Sequence, residues 1–164
     1  MEEVRAARME PRRVGQLVQR FRDACGNAAT SIVPGAGLVT NARALARFYA
    51  WLLDGCAMPD GQLAVRPEVL QRDTSREHFG FDRSNRVPLA VGRGFLVGTP
   101  WPSSHGPWGT SACFGHQGAF CSPGFADRNR GLSFALVTIG NHSLMQSSRF
   151  FMQMLRLARS AVTD

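Results

Sequence analysis

A change of hydrophobic period along the chain limits its fold more than any other feature. Near both ends apolar side chains recur every three to four residues, while the stretch between carries short apolar runs broken by glycine and proline. The first pattern belongs to helices with one buried face and the second to strands. Leu45, Phe48, Leu52 and Leu53 fall on one side of a helical repeat, with Arg43, Arg47 and Asp54 opposite. Thr40 or Asn41 offers a short side-chain oxygen to a free N–H of the first turn, and Gly55 supplies a left-handed stop. A second long helix is predicted over about 143–161. Leu144, Phe151, Leu155, Ala158 and Val162 form one face of it, with Met152 and Met154 beside them. Gln146, Arg149, Gln153, Arg156 and Ser160 form its polar stripe. Pro67 opens a short helix over 67–72 containing Val69 and Leu70. Pro11 opens another over 12–24, with Val14, Leu17, Val18 and Phe21 inward; proline fits the first helical position because its missing N–H is not needed there.

Between the helices, residues 73–86 read as polar and irregular. Strand character begins near Val87 and continues through Gly98, where the glycines imply a bulge or a close backbone approach. Residues 99–111 form a long Pro/Gly/Ser/Trp loop. Further strands are expected over about 112–119 and 132–139. The turn signal Asp127-Arg128-Asn129-Arg130-Gly131 between them suggests an antiparallel hairpin. The expectation is an α+β fold: a small antiparallel sheet of about three strands packed against helices, including a long C-terminal helix. Residues 1–33 would be a helical lead segment and 34–164 the domain itself.

Composition excludes several functions. The formal net charge is +7 and all 19 basic residues are arginine, with no lysine in the chain. Any mechanism that needs an amine as base is therefore closed to it. The arginines are dispersed, apart from Arg12-Arg13 and Arg20/Arg22, and no aromatic residues are interleaved for base stacking. They read as a solvated surface, so no nucleic-acid partner is expected. No apolar run approaches the roughly 18 residues of a membrane span, and no apolar stretch follows Met1-Glu2-Glu3-Val4-Arg5, which suggests no signal peptide and a cytoplasmic location. Cys25, Cys56, Cys113 and Cys121 make no C-x-x-C pair, and His105 and His116 lack zinc-finger spacing. Buried free thiols are the simplest reading; a Cys113–Cys121 disulfide or a metal site stays open as an alternative. Neither a metal nor a cofactor is expected.

The most informative stretch is Phe114-Gly115-His116-Gln117-Gly118-Ala119, continuing through Phe120, Cys121 and Ser122 to Ala126-Asp127. A second is Pro34-Gly35-Ala36-Gly37-Leu38-Val39-Thr40-Asn41, running into Ala44-Leu45-Ala46-Arg47-Phe48. Asp60-Gly61 and Arg66-Pro67-Glu68-Val69-Leu70 follow at a matching distance. Together these resemble the C-terminal part of the serine β-lactamase, penicillin-binding protein and esterase superfamily, and more narrowly the class C-like esterases and lipases. Those proteins carry His-x-Gly where β-lactamases carry Lys-Thr-Gly. The resemblance spans about residues 34–160 and implies part of a β-lactamase/transpeptidase-like fold.

In acyl transfer the tetrahedral oxyanion needs preorganised N–H donors. The resemblance implies that the Ala119 backbone N–H is such a donor, that Gly118 lets substrate approach the strand, and that His116 lines the pocket. Gln117, Phe120, Trp101 and Trp108 would contact substrate. The family's Ser-x-x-Lys nucleophile motif is missing, since there is no lysine. The single tyrosine, Tyr49, has core-like spacing in its helix rather than the setting of the family's catalytic tyrosine. Nor is there a G-x-S-x-G elbow: Phe120-Cys121-Ser122-Pro123-Gly124 comes nearest, and Ser122 and Asp127 read as turn and strand-end residues. The resemblance thus implies one portion of a serine hydrolase that acts on a small ester or acyl substrate in its complete form and is inactive alone. The alternative is a non-catalytic module that binds a small ligand or a protein. A sheet short of the family's other strands would have a bare edge, so a homo-oligomer, a complementing N-terminal half, or cover from residues 1–33 is expected.

Overall fold

The computed structural model describes Leu38 and residues 40–83, 87–100, 105, 110–118, 122–138 and 144–162. The chain divides into a leading unit, Met1–Thr40, and a main unit, Asn41–Asp164. The helix expected over 12–24 lies outside the described residues.

The main unit begins with helix α1, Ala42–Leu53. Of the two candidate caps it is Asn41 that closes the helix: its Oδ1 accepts the Ala44 N–H at 2.9 Å. The helix stops at Gly55, which adopts a left-handed φ of 77°. Helix α2, Pro67–Asp73, starts at its proline. Helix α3, Leu144–Ser160, closes the unit.

Among the described residues the sheet has six antiparallel strands in sequence order: β1 His78–Asp82, β2 Val87–Val91, β3 Leu96–Val97, β4 Cys113–Gly118, β5 Ser122–Asp127 and β6 Leu132–Ala135. About three had been expected, and the difference has three sources. Strand β1 lies in the stretch read as irregular. The run from Val87 to Gly98 is two strands, because Gly92-Arg93-Gly94 turns the chain back and the Gly92 N–H donates to Phe95 O at 2.8 Å. Strand β5 lies between the two segments expected to form a hairpin. The Asp127–Gly131 turn therefore joins β5 to β6, with Asp127 opposite Leu132 and Gly131 at a φ of 58°.

Register decides what each face meets. Phe114 on β4 is opposite Ala126 on β5, while Cys113 is opposite Asp127 and Gly115 is opposite Phe125. Phe114 and Ala126 share a face and pack with Tyr49, Leu52 and Cys56 beneath α1. Cys113 and Phe125 share the other face and pack with Phe151 and Leu155 of α3. Helices therefore cover both faces, with one wholly buried phenylalanine anchoring each side. Burial of such a ring stabilises the fold by roughly 2–3 kcal/mol. The expected α3 face is right at Phe151 and Leu155, but Val162 is exposed and the buried position one turn beyond Leu155 is Arg159.

Candidate functional site

Strand β4 is a buried element that emerges at one end. Cys113, Phe114 and Gly115 are buried, whereas His116 and Gly118 are exposed and Gln117 is half-buried. Gly115 cannot carry a side chain: a Cβ there would collide with the Gly124 carbonyl oxygen and lie 2.6 Å from Phe125 Cα. This close β4–β5 approach fixes the strand just before it reaches solvent. Across from the exposed half stand Gly124, Pro123 and Ser122, opposite His116, Gln117 and Gly118 in turn. On the other side β3 pairs with Phe114 and Gly115, so His116–Gly118 runs past the end of β3, and among the described residues no strand pairs with it on that side.

His116 Nδ1 lies 2.9 Å from the Gln117 carbonyl oxygen. A carbonyl can only accept, so this nitrogen donates its N–H, and Nε2 keeps its lone pair. Gly118 is close to its cross-strand partner: a Cβ built there would lie 3.1 Å from Ser122 O, a tight contact that glycine avoids. The structure thus brings His116, Gln117 and Gly118 together on one exposed strand end. Ala119, Phe120, Trp101 and Trp108 lie outside the described residues.

At the opposite, buried end of β4 is a charged cluster that the sequence reading did not assemble. Asp127 is 0% exposed. It pairs with Arg130 at 3.0 Å and with Arg159, from α3, at 3.7 Å. Arg159 Nη2 donates to the His105 carbonyl oxygen at 2.7 Å and lies 3.5 Å from Cys113 Sγ. The guanidinium also stands 5.3 Å from the Phe125 ring centre, and the His105 ring meets that same phenylalanine edge-on. Burial, and then the Arg159 charge, push His105 down to about 4. Burial pushes the Cys113 thiol up, with Asp127 adding to the effect. The available signal was Arg159 standing four residues after Leu155, on the core side of its helix: an arginine there calls for a buried acid. Cys56 and Cys113 are buried free thiols. Among the described residues no group of histidine, cysteine, aspartate and glutamate could hold a metal ion, and no helix is long and apolar enough to cross a membrane.

An antiparallel sheet with a helical layer on each face, carrying His-x-Gly where an inner strand becomes exposed, defines an α+β protein of the β-lactamase-like kind. The Beta-lactamase family model matches residues 2–154, and the chain belongs to that family. The match begins well upstream of Pro34, so residues of the leading unit belong to the family pattern too. Among solved structures the chain is similar to a novel penicillin-binding protein homolog from Caulobacter crescentus, at 30% identity and a TM-score of 0.55, over 73% of this chain and 32% of that one. It also shares its fold with EstA from Arthrobacter nitroguajacolicus Rue61a, at 22% identity and a TM-score of 0.51, over 76% of this chain and 33% of that one. The chain therefore spans about a third of the length of the structures it matches. No curated protein matches it.

Proposed function

We propose that this chain supplies one wall of the active site of a serine hydrolase of the beta-lactamase family, acting on small esters or acyl compounds. The observation that carries the reading is the exposed His116-Gln117-Gly118 end of β4 running past β3. Substrate would lie along that edge. Gly118 has no side chain to obstruct it, the Ala119 N–H acts as oxyanion donor, and Nε2 of His116 accepts or returns a proton or binds a substrate carboxylate. Gln117, Phe120, Trp101 and Trp108 would shape the pocket. The serine and its lysine come from other polypeptide, because this sequence has no lysine. Histidine in place of lysine on the strand favours the esterase type of chemistry over β-lactam hydrolysis.

Two measurements test this. The purified chain alone should leave nitrophenyl esters and a chromogenic cephalosporin unchanged above the buffer rate. A chimera joining residues 34–164 to the part of the Caulobacter homolog that this chain does not cover should hydrolyse the esters, and His116→Ala should lower its kcat by about 100-fold, the lower range for losing a proton-transfer group. A chimera that folds and leaves esters untouched would overturn the reading, as would turnover by the chain alone.

A further inference from the structure

Tyr49 lies against the candidate site from its buried side and belongs to neither motif that marks the site. It comes from the middle of α1 and is 4% exposed. Its ring rests on Gly124: a Cβ at that glycine would collide with Tyr49 Cε2 and lie 3.1 Å from Leu45 Cδ2. Gly124 is the residue directly opposite His116 in the β4–β5 register. The ring therefore fills the space that a side chain at the cross-strand neighbour of His116 would otherwise take. Edge-on contacts with Phe48 at 5.4 Å and Phe95 at 6.4 Å hold it in orientation. The His116 backbone N–H lies by its hydroxyl and partly offsets the effect of burial. Burial raises Tyr49 to about 12, so the phenol stays neutral wherever a hydrolase operates.

We propose that Tyr49 is a positioning residue for the His116–Gly118 wall, setting its height above α1 through the Gly124 slot and the His116 backbone. This rests on the reading of that wall as the active-site edge. Simple core filling would need only the ring, and phenylalanine would serve as well. Tyr49→Phe separates the two, since it keeps the ring and removes only the hydroxyl.

The test is amide hydrogen exchange by NMR on the full chain, with Gly80 and Leu89 of the distant β1–β2 pair as internal references. Tyr49→Phe should speed exchange at His116 by about tenfold, the scale of one net hydrogen bond, and leave Gly80 and Leu89 unchanged. Gly124→Ala, which displaces the ring, should move the His116 ring resonances and loosen the same amide. Unchanged exchange at His116 in Tyr49→Phe would overturn the proposal. So would a rise by the same factor at Gly80 and Leu89, which would mark Tyr49 as general core. No turnover is read in this experiment: an inert chimera would overturn the hydrolase reading alone, and uniform exchange would overturn the role of Tyr49 alone.

Discussion

At the scale of single residues, the decisive group is the buried aspartate at the end of β5. A carboxylate removed from water is costly unless it is paired, and removing one partner of such a pair costs about 3–5 kcal/mol because a charge is left stranded. Asp127 has two arginine partners, of which Arg159 is the more deeply buried, with a side chain only 5% exposed. Arg159→Leu should therefore lower the unfolding free energy toward that range in urea titration. A loss below about 1 kcal/mol would mean that Arg130 suffices. The neighbouring His105 adds a pH dependence. Its folded value of about 4 lies below the ordinary 6.5, so below 6.5 the unfolded chain takes up a proton that the folded one refuses. Stability should fall as pH drops from 6.5 to about 4, by at most about 1.4 kcal/mol per unit. His105→Leu should flatten that limb of the stability-versus-pH curve whatever it does to stability at neutral pH. An unaltered slope would assign the acid sensitivity to other groups.

At the scale of elements, legibility depended on whether the cause of an element is local. Helix α1 could be read to its ends because its cap and stop are its own residues. Asn41→Ala should cost about 1 kcal/mol of stability, the usual worth of a side-chain cap, measured as a shift of the urea midpoint. Strand β1 could not be read. His78-Phe79-Gly80-Phe81-Asp82 leaves Phe79 and Phe81 exposed, and it is a strand because β2 pairs with it from His78–Val91 to Asp82–Val87. Strand β5 was hidden for a related reason. Ser122, Pro123 and Gly124 are poor strand formers by composition. Yet Pro123 accepts the Leu136 N–H at 2.9 Å beyond the end of β6, where its own missing donor costs the ladder little, and Gly124 is required by Tyr49. In the site, the His-x-Gly motif was visible because its residue types and spacing carry the chemistry. The support under it was not, since Tyr49 and Gly124 meet only after folding. The buried ion cluster joins residues 105, 127 and 159, a separation that no local pattern spans.

At the scale of the molecule, the two edges of the sheet are built differently. The β1 edge is exposed and guarded by charge, with Asp82 in the strand and Arg76, Glu77 and Arg83 flanking it. The β6 edge is Leu132-Ser133-Phe134-Ala135. Every one of these residues is half-buried, none is charged, and among the described residues no strand lies outside them. An uncharged edge with its faces covered is a template for another strand. Direction can be worked out from the ladder. Leu136 gives its N–H to Pro123 on β5, so by alternation Leu132 and Phe134 also turn toward β5, and Ser133 and Ala135 turn outward. Ala135→Pro therefore removes an outward donor without touching the β5 ladder. In sedimentation the chain should associate with rising concentration despite its net charge of +7, since strand pairing acts at contact while like-charge repulsion at physiological salt is screened within about 8 Å. Ala135→Pro should weaken that association by tenfold or more and leave the circular dichroism of the sheet intact. A chain that stays monomeric at every concentration, with the Ser133 and Ala135 amides slow to exchange, would show instead that another part of the same polypeptide covers β6.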